Sequence, residues 1–354
     1  MTPPLVFDLS LEELRAWFSE HGEAPYRSQQ LWHQLYRALA SDPLMLSDLP
    51  RALRQQLQEA FAFSSLEPTA TRHSSDGKTT KTLYRLGDGQ AVEVVLMRYD
   101  RRHTLCISTQ AGCAMGCSFC ATGQMGFGRN LSSGEIVEQV LSGARWLRTD
   151  GLQLTNIVVM GMGEPFHNYE ATMQAIDRLN DGTGFAFGAR RMTVSTVGIV
   201  PMIERFTQEA RQVNLAISLH AATNALRDQL LPVNRRYPLE ALLPACREYV
   251  ARTHRRISFE WALIADVNDG PEQAWALTRL LSGLTCHVNL IPLNPTQGYA
   301  GAATSAAAAR VFAEILDQAG IPATLRQRRG IEIQAGCGQL AAPLSQPTPA
   351  LASG

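Results

Sequence analysis

The chain has 354 residues, 45% hydrophobic and 18% charged, the make-up of a folded globular protein with room for one large α/β domain and a smaller one. Its 32 Lys and Arg balance 32 Asp and Glu, which argues against a global basic field for nucleic acid and leaves only local basic clusters for that purpose. No apolar run approaches the roughly 18 residues of a membrane span, and the opening Met-Thr-Pro-Pro-Leu-Val-Phe-Asp lacks the regions of a signal peptide, so a cytoplasmic protein is expected.

The first sixty or so residues read as helices. Ser10 and Glu13 form a capping-box pattern ahead of Leu11, Leu14, Trp17 and Phe18. A second helix carries Leu31, Trp32, Leu35 and Tyr36, and a third starts near Pro50 and runs through Leu53, Leu57 and Phe61. An N-terminal helical domain over residues 1–70 is expected. From Thr79 the period becomes strand-like. Residues 82–86, the turn Gly87-Asp88-Gly89 and residues 91–96 predict a β-hairpin extension spanning 71–100. Strands then alternate with helices through a core of 101–330. The candidate strands are 104–108, 156–160, 191–196, 213–219, 257–263 and 286–291, with a shorter one at 323–328. Helical stretches fall at 135–147, 171–179, 239–250, 272–281 and 306–318. This is an α/β fold with a parallel sheet, either open and doubly wound or a complete or partial barrel. Both forms put their chemistry at the C-terminal strand ends. The segment 331–354 ends in a Pro-, Ala- and Ser-rich tail, 343–354, expected to be disordered.

Cys113, Cys117 and Cys120 follow the first core strand in a CxxxCxxC spacing. Three thiolates can hold three irons of a 4Fe-4S cluster and leave the fourth open to chelate S-adenosylmethionine (SAM). The alternatives are a zinc knuckle or unrelated buried thiols. Gly161-Met162-Gly163-Glu164-Pro165 ends the second strand; Glu164 can accept hydrogen bonds from an ammonium group, or the segment is a plain strand-to-helix turn. Ser195, Ser218-Leu219-His220 and Asn294 end later strands, as ligand contacts or as ordinary loop polar groups. Cys106 shares a strand face with Thr104 and Ser108, and Cys337 lies between glycines where no core is built. Cys246 and Cys286 read as small buried apolar residues.

Taken together, Thr104-Leu105-Cys106, the cysteine loop, Met160-Gly161-Met162-Gly163-Glu164-Pro165, Ser218-Leu219-His220-Ala221 and Gly338-Gln339-Leu340 after Cys337 resemble the RlmN/Cfr family of radical SAM RNA methyltransferases. The resemblance covers essentially the whole chain. It implies a partial (β/α)6-type radical SAM barrel and, as cofactors, a 4Fe-4S cluster on Cys113, Cys117 and Cys120 together with SAM. It also implies SAM contacts at Gly163, Glu164, Ser195, Ser218, Leu219, His220 and Asn294. One SAM would methylate Cys337. A second, cleaved to a 5′-deoxyadenosyl radical, would take hydrogen from that methyl group, and the carbon radical would add to an adenine carbon. Glu93 would accept the adenine proton, and Cys106 would form a transient disulfide with Cys337 to release the product. The expected substrates are 23S rRNA and tRNA near the anticodon, methylated at adenine carbon 2, with carbon 8 as the alternative within the family. A radical SAM enzyme on a non-RNA substrate is the alternative outside it. A flavodoxin or ferredoxin as electron donor and a monomeric state are further expectations. The chain departs from the family pattern near its end: Gly336 stands where Ala is usual, and no acidic residue follows Gly330 directly. RNA contacts are expected from three basic clusters: Arg98, Arg101, Arg102 and His103; Arg252, His254, Arg255 and Arg256; and Arg326, Arg328 and Arg329.

Overall fold

The computed structural model describes residues 3–342; the tail expected to be disordered lies outside them. The capping box forms as expected: Glu13 N donates to Ser10 Oγ (3.1 Å) and Ser10 N to Glu13 Oε2 (2.6 Å), starting α1 (Leu11–Glu20). Next come α2 (Tyr26–His33), which continues into a π turn, and α3 (Arg51–Ala60). Leu14, Phe18, Leu31, Trp32, Leu35, Leu53 and Leu57 close the core between them.

A ten-stranded open sheet organises the rest. Three antiparallel strands lead in, β1 (Glu67–His73), β2 (Thr79–Arg85) and β3 (Ala91–Arg98). β4 (His103–Cys106) pairs antiparallel with β3 and opens the parallel part. A separate ribbon of β5 (Gln110–Gly112) and β6 (Phe127–Asn130) frames the cysteine loop and the short α4 (Ala121–Met125). α5 (Ser133–Thr149) leads to β7 (Asn156–Val159), and α6 (Tyr169–Asn180) to β8 (Met192–Thr196). α7 (Val200–Gln208) then precedes β9 (Asn214–Ser218). α8 (Asn224–Leu230) and α9 (Leu239–Thr253) come before β10 (Ile257–Leu263), and α10 (Pro271–Leu281) before β11 (Cys286–Pro292). α11 (Ala306–Gln318) and the short edge strand β12 (Ala323–Leu325) complete the unit. From β4 to β12 every neighbouring pair in the sheet is parallel. This is the expected partial barrel.

Alternation along the strands decides what lies inside it. On β11, Cys286, Val288 and Leu290 are buried, while His287, Asn289 and Ile291 line the lumen. On β10, Ser258, Glu260 and Ala262 face inward. The lumen is therefore polar and the outer face, under the helices, apolar.

Several elements lie outside the sequence expectation, the β5–β6 ribbon, α4 and α8 among them, and two further differences bear on the layout. The hairpin is a three-stranded meander, because β1 adds to it and runs across residue 70. All seven residues of β1 are exposed, so it carries no alternating apolar signal. The connection between the third and fourth core strands holds α7, whose Pro201 start and buried Ile203 and Phe206 are its sequence marks.

The N-terminal helices dock on the barrel through polar contacts. Gly134 N (2.7 Å) and Ser133 Oγ (3.2 Å) donate to Asp8 Oδ1, which thereby caps the start of α5. Arg178 donates to the carbonyls of Phe7 and Asp8, both at 2.6 Å. A Cβ on Gly134 would sit 2.7 Å from Asp8 N and 2.8 Å from Phe7 C. Helix propensity alone predicts that Gly134→Ala stabilises by up to about 1 kcal/mol. The backbone approach predicts the opposite sign, a loss of about 1–3 kcal/mol. Urea unfolding decides between them, and a stabilised variant would contradict this docking.

Candidate active site

The C-terminal strand ends open onto one cavity. At one end are Cys113, Cys117 and Cys120. Their loop is held at both shoulders: Cys113 N donates to Gly126 O (2.7 Å) and Ser118 N to Leu230 O (3.0 Å). Burial pushes the Cys113 thiol up to about 12 and the Cys117 thiol well above its ordinary value, and the neighbouring Glu164 and Cys120 charges add to both. Such thiols stay protonated until a metal takes the proton's place. Among the described residues no three His, Cys, Asp or Glu side chains converge as the ligands of one ion would.

Glu164 lines the same cavity, fully buried. Its Oε1 accepts from Phe166 N and its Oε2 from Val197 N, both at 2.9 Å. Burial raises its carboxyl to about 7 against the pull of these donors. Gly163, at φ +100°, allows this approach: a Cβ there would lie 2.7 Å from Gln110 N. Ser195 and Ser218 face each other across β8 and β9 with their hydroxyls 3.4 Å apart. His220 sits in the left-handed region at φ +58°. Its Nδ1 accepts from Ala262 N (2.9 Å), which leaves Nε2 to carry the proton. Burial and the nearby Arg227 cation lower its pKa to about 3, so the ring is neutral. Leu219 differs from the other expected SAM contacts. It is buried with both backbone groups engaged, its N–H on Glu260 O (3.1 Å) and its carbonyl on Arg227 Nε (3.2 Å).

Cys337 closes the cavity from the C-terminal segment. Its surface is accessible because it faces into the barrel, and protein around it still raises its thiol pKa by burial, helped by the Glu260 charge. Asn294 Nδ2 donates to Cys337 O (3.1 Å), whereas Asn294 Oδ1 is buried with no hydrogen-bond partner. Gly336 makes room for this contact, since a Cβ there would lie 2.5 Å from Asn294 Nδ2.

Cys337 also lines a second cavity, of about 390 Å³, that runs down the lumen. Cys106 lies in it. So do Arg102, Arg256, Arg326, Arg328 and Arg329, one or more from each of the three basic clusters. Arg102 and Arg329 both stack on Tyr99, at 4.4 and 4.6 Å. Glu93 lies outside both cavities. Its Oε1 is 2.7 Å from Lys81 Nζ and its Oε2 accepts from Ala341 N (2.9 Å).

Two buried charged residues at the site escaped the sequence reading. Glu260 lines both cavities, half-satisfied by Asn289 Nδ2 (2.8 Å) and raised by burial to about 7. Its signal was a lone carboxylate in the middle of an apolar strand. The second, Arg227, is fully buried behind the strand ends.

The comparisons with known proteins match this geometry. Residues 107–274 match the Radical SAM superfamily model, and residues 6–62 the Ribosomal RNA large subunit methyltransferase N-terminal domain. The chain is 51% identical to dual-specificity RNA methyltransferase RlmN 1 of Myxococcus xanthus, over 96% of this chain and 95% of that one. It is 49% identical to a probable dual-specificity RNA methyltransferase RlmN of Chloroflexus aurantiacus, over 97% and 94%. The chain belongs to the RlmN family of radical SAM RNA methyltransferases. The crystal structure of a radical SAM methyltransferase from Sphaerobacter thermophilus superposes with a TM-score of 0.94 at 51% identity, covering 96% of this chain and 99% of that one. The zinc-knuckle and non-RNA readings fall with this assignment, and the family's cofactors are a 4Fe-4S cluster and SAM. The residues present fit both groups: three soft thiols for iron, and the unpartnered Asn294 Oδ1 for a donor on SAM. Among the described residues no helix is long and apolar enough to cross a membrane.

Glu260 gives a pH test. An unfolded glutamate ionises near pH 4.3, whereas the native chain holds this proton to about 7. The native state thus binds the extra proton in that window, and its stability falls as pH rises through it. In the cluster-free protein, the unfolding free energy of wild type relative to Glu260→Gln should drop by about 3 kcal/mol between pH ~4.5 and ~7.5. A pH-independent difference would show that Glu260 is not buried as described.

Proposed function

We propose that this RlmN-family enzyme methylates carbon 2 of an adenine in 23S rRNA, and in tRNA beside the anticodon, with Cys337 as the methyl carrier. The observation that carries this reading is the position of Cys337, which faces the cysteine and Glu164 cavity on one side and the arginine-lined cavity holding Cys106 on the other.

Adenine carbon 2 is a poor nucleophile, so direct displacement on SAM does not reach it. The Cys337 sulfur is a good nucleophile once its proton leaves, and it takes the methyl group from a first SAM. When bound, the cluster and a second SAM supply a carbon radical able to take hydrogen from that methyl group. Cys337 then holds the reactive carbon against the base and becomes joined to the RNA. Once the adduct has lost the base proton and its odd electron, the latter to the cluster that would be bound there, the Cys106 thiolate, facing the same cavity, attacks the Cys337 sulfur; the S–S bond forms as the S–C bond breaks, and the freed carbon takes a proton to become the methyl group of the released base. Glu93 is the proposed acceptor of the base proton; taking that proton requires one of its bonds to Lys81 or Ala341 to open. Glu164, Ser195, Ser218 and His220 are proposed to hold SAM, with the backbone at Gly163 and the amide of Asn294 alongside; Leu219, its backbone already engaged, serves to place Ser218 and His220 on either side of it.

The arginine-lined cavity admits a base but not a helix, so the target base must be unstacked. Its five arginines are placed to hold the flanking phosphates, and the N-terminal helical domain to grip folded RNA by shape.

Nucleosides from unmethylated 23S rRNA, incubated anaerobically with iron-reconstituted, reduced protein and SAM, should contain 2-methyladenosine by mass spectrometry. 8-Methyladenosine would move the reaction to the other carbon, and no methylated adenine would overturn the reading. Cys106→Ala should accumulate a covalent protein–RNA adduct during turnover; free product at the wild-type rate would remove Cys106 from the mechanism. Reversing Arg328 and Arg329 to Glu should weaken RNA binding and flatten its salt dependence. An unchanged salt slope would leave these arginines as solvated surface charges.

A further inference from the structure

Arg227 on α8 is fully buried, and among the described residues no carboxylate lies within ion-pair distance of it. Its guanidinium donates only to neutral acceptors. Nη2 donates to Val197 O (2.6 Å) and Ser218 O (3.4 Å), Nε to Leu219 O (3.2 Å) and Nη1 to Asn234 Oδ1 (2.9 Å). A buried cation satisfied by carbonyl dipoles alone is expensive to maintain, and such groups are normally paired with an anion. Burial accordingly lowers its pKa to about 10.

The group that would pair with it is indicated by the packing of α8. Leu230, which ends the helix, accepts from Ser118 N in the cysteine loop (3.0 Å). Leu230 and Leu231 pack in one apolar cluster with Cys117 and Phe119. Leu231 N in turn donates to Arg227 O (2.7 Å), so Arg227 stands one helical turn from the residues that pack on Cys117. A 4Fe-4S cluster on three thiolates carries net negative charge, and reduction adds to it; a nearby buried cation therefore favours the reduced state.

We propose that Arg227 is the counter-charge of the cluster. It raises the cluster's reduction potential, and its bonds to the β8 and β9 ends carry the same charge into the loops that present Ser218 and His220. It is a positioning residue, acting on the cluster by its field and on the loops by hydrogen bonds. The inference depends on the cluster alone and not on the RNA substrate or on Cys337.

Two variants separate charge from architecture. Arg227→Gln removes the cation. Exchanging Asn234→Asp together with Asp228→Asn keeps Arg227 but brings a carboxylate onto its Nη1. It also preserves the 2.7 Å contact between these two side chains with donor and acceptor reversed. Midpoint potentials of the iron-reconstituted proteins without SAM, followed by electron paramagnetic resonance, should fall in both variants relative to wild type. Arg227→Lys should retain most of the wild-type potential. If Arg227→Gln does not load iron, the exchange variant decides alone. A potential equal to wild type in any charge-neutralised variant with full iron content overturns the proposal. A lowered potential in Arg227→Lys equal to that in Arg227→Gln would also overturn it, by assigning the effect to architecture.

Discussion

The buried ion pair between Lys81 and Glu93 anchors the segment that carries Cys337. The two residues lie diagonally across β2 and β3 and face the same side. Their remaining capacity is spent on the C-terminal segment: Lys81 Nζ donates to Gln334 O (3.1 Å) and Glu93 Oε2 accepts from Ala341 N (2.9 Å). Those two backbone points bracket Cys337. A buried charge without its partner costs about 3–5 kcal/mol, so the pair and the loop are stable together and weak apart. Ala121 N on Gly338 O (2.7 Å) and Thr122 Oγ1 on Leu340 O (2.6 Å) tie the same loop to the helix that follows the cluster cysteines. The antiparallel meander, which lies outside the parallel part of the sheet, thus positions the segment that carries Cys337.

Around that fixed thiol the barrel is divided in two. Alternation on the parallel strands directs polar side chains into the lumen, and the strand ends collect Glu164, Ser195, Ser218 and His220 on the side of the cysteine loop. On the far side the lumen is bounded by arginines, although the chain as a whole has no net charge. One thiol separates a site suited to a reactive cofactor from a site suited to a polyanion. In the proposed reaction this division would let Cys337 accept a group on one side and deliver it on the other.

Much of this was legible in the sequence. The capping box at Ser10, the six principal core strands and their polar ends follow from periodicity and local hydrogen-bonding rules, and those rules operate over a few residues. β1 was not legible because its residues are exposed on an edge and carry no apolar alternation. Glu260 and Arg227 were not legible as site residues because burial of a charge is a property of the packed fold. A glutamate in a strand and an arginine in a short helix look the same in sequence whether they face water or a cofactor. The Gly336 departure had a cause visible only in three dimensions, the approach of Asn294 to the carbonyl of Cys337. Cys246 and Cys286, read as small apolar residues, are buried as expected.

The central claim is that the group delivered to RNA first resides on Cys337. The most direct measurement is peptide mass spectrometry of the iron-reconstituted protein after incubation with methyl-deuterated SAM and no RNA. The account predicts one labelled methyl group on the peptide carrying Cys337 and none on those carrying Cys106, Cys246 or Cys286. RNA methylated at the normal rate by protein whose Cys337 never carries the label would contradict it.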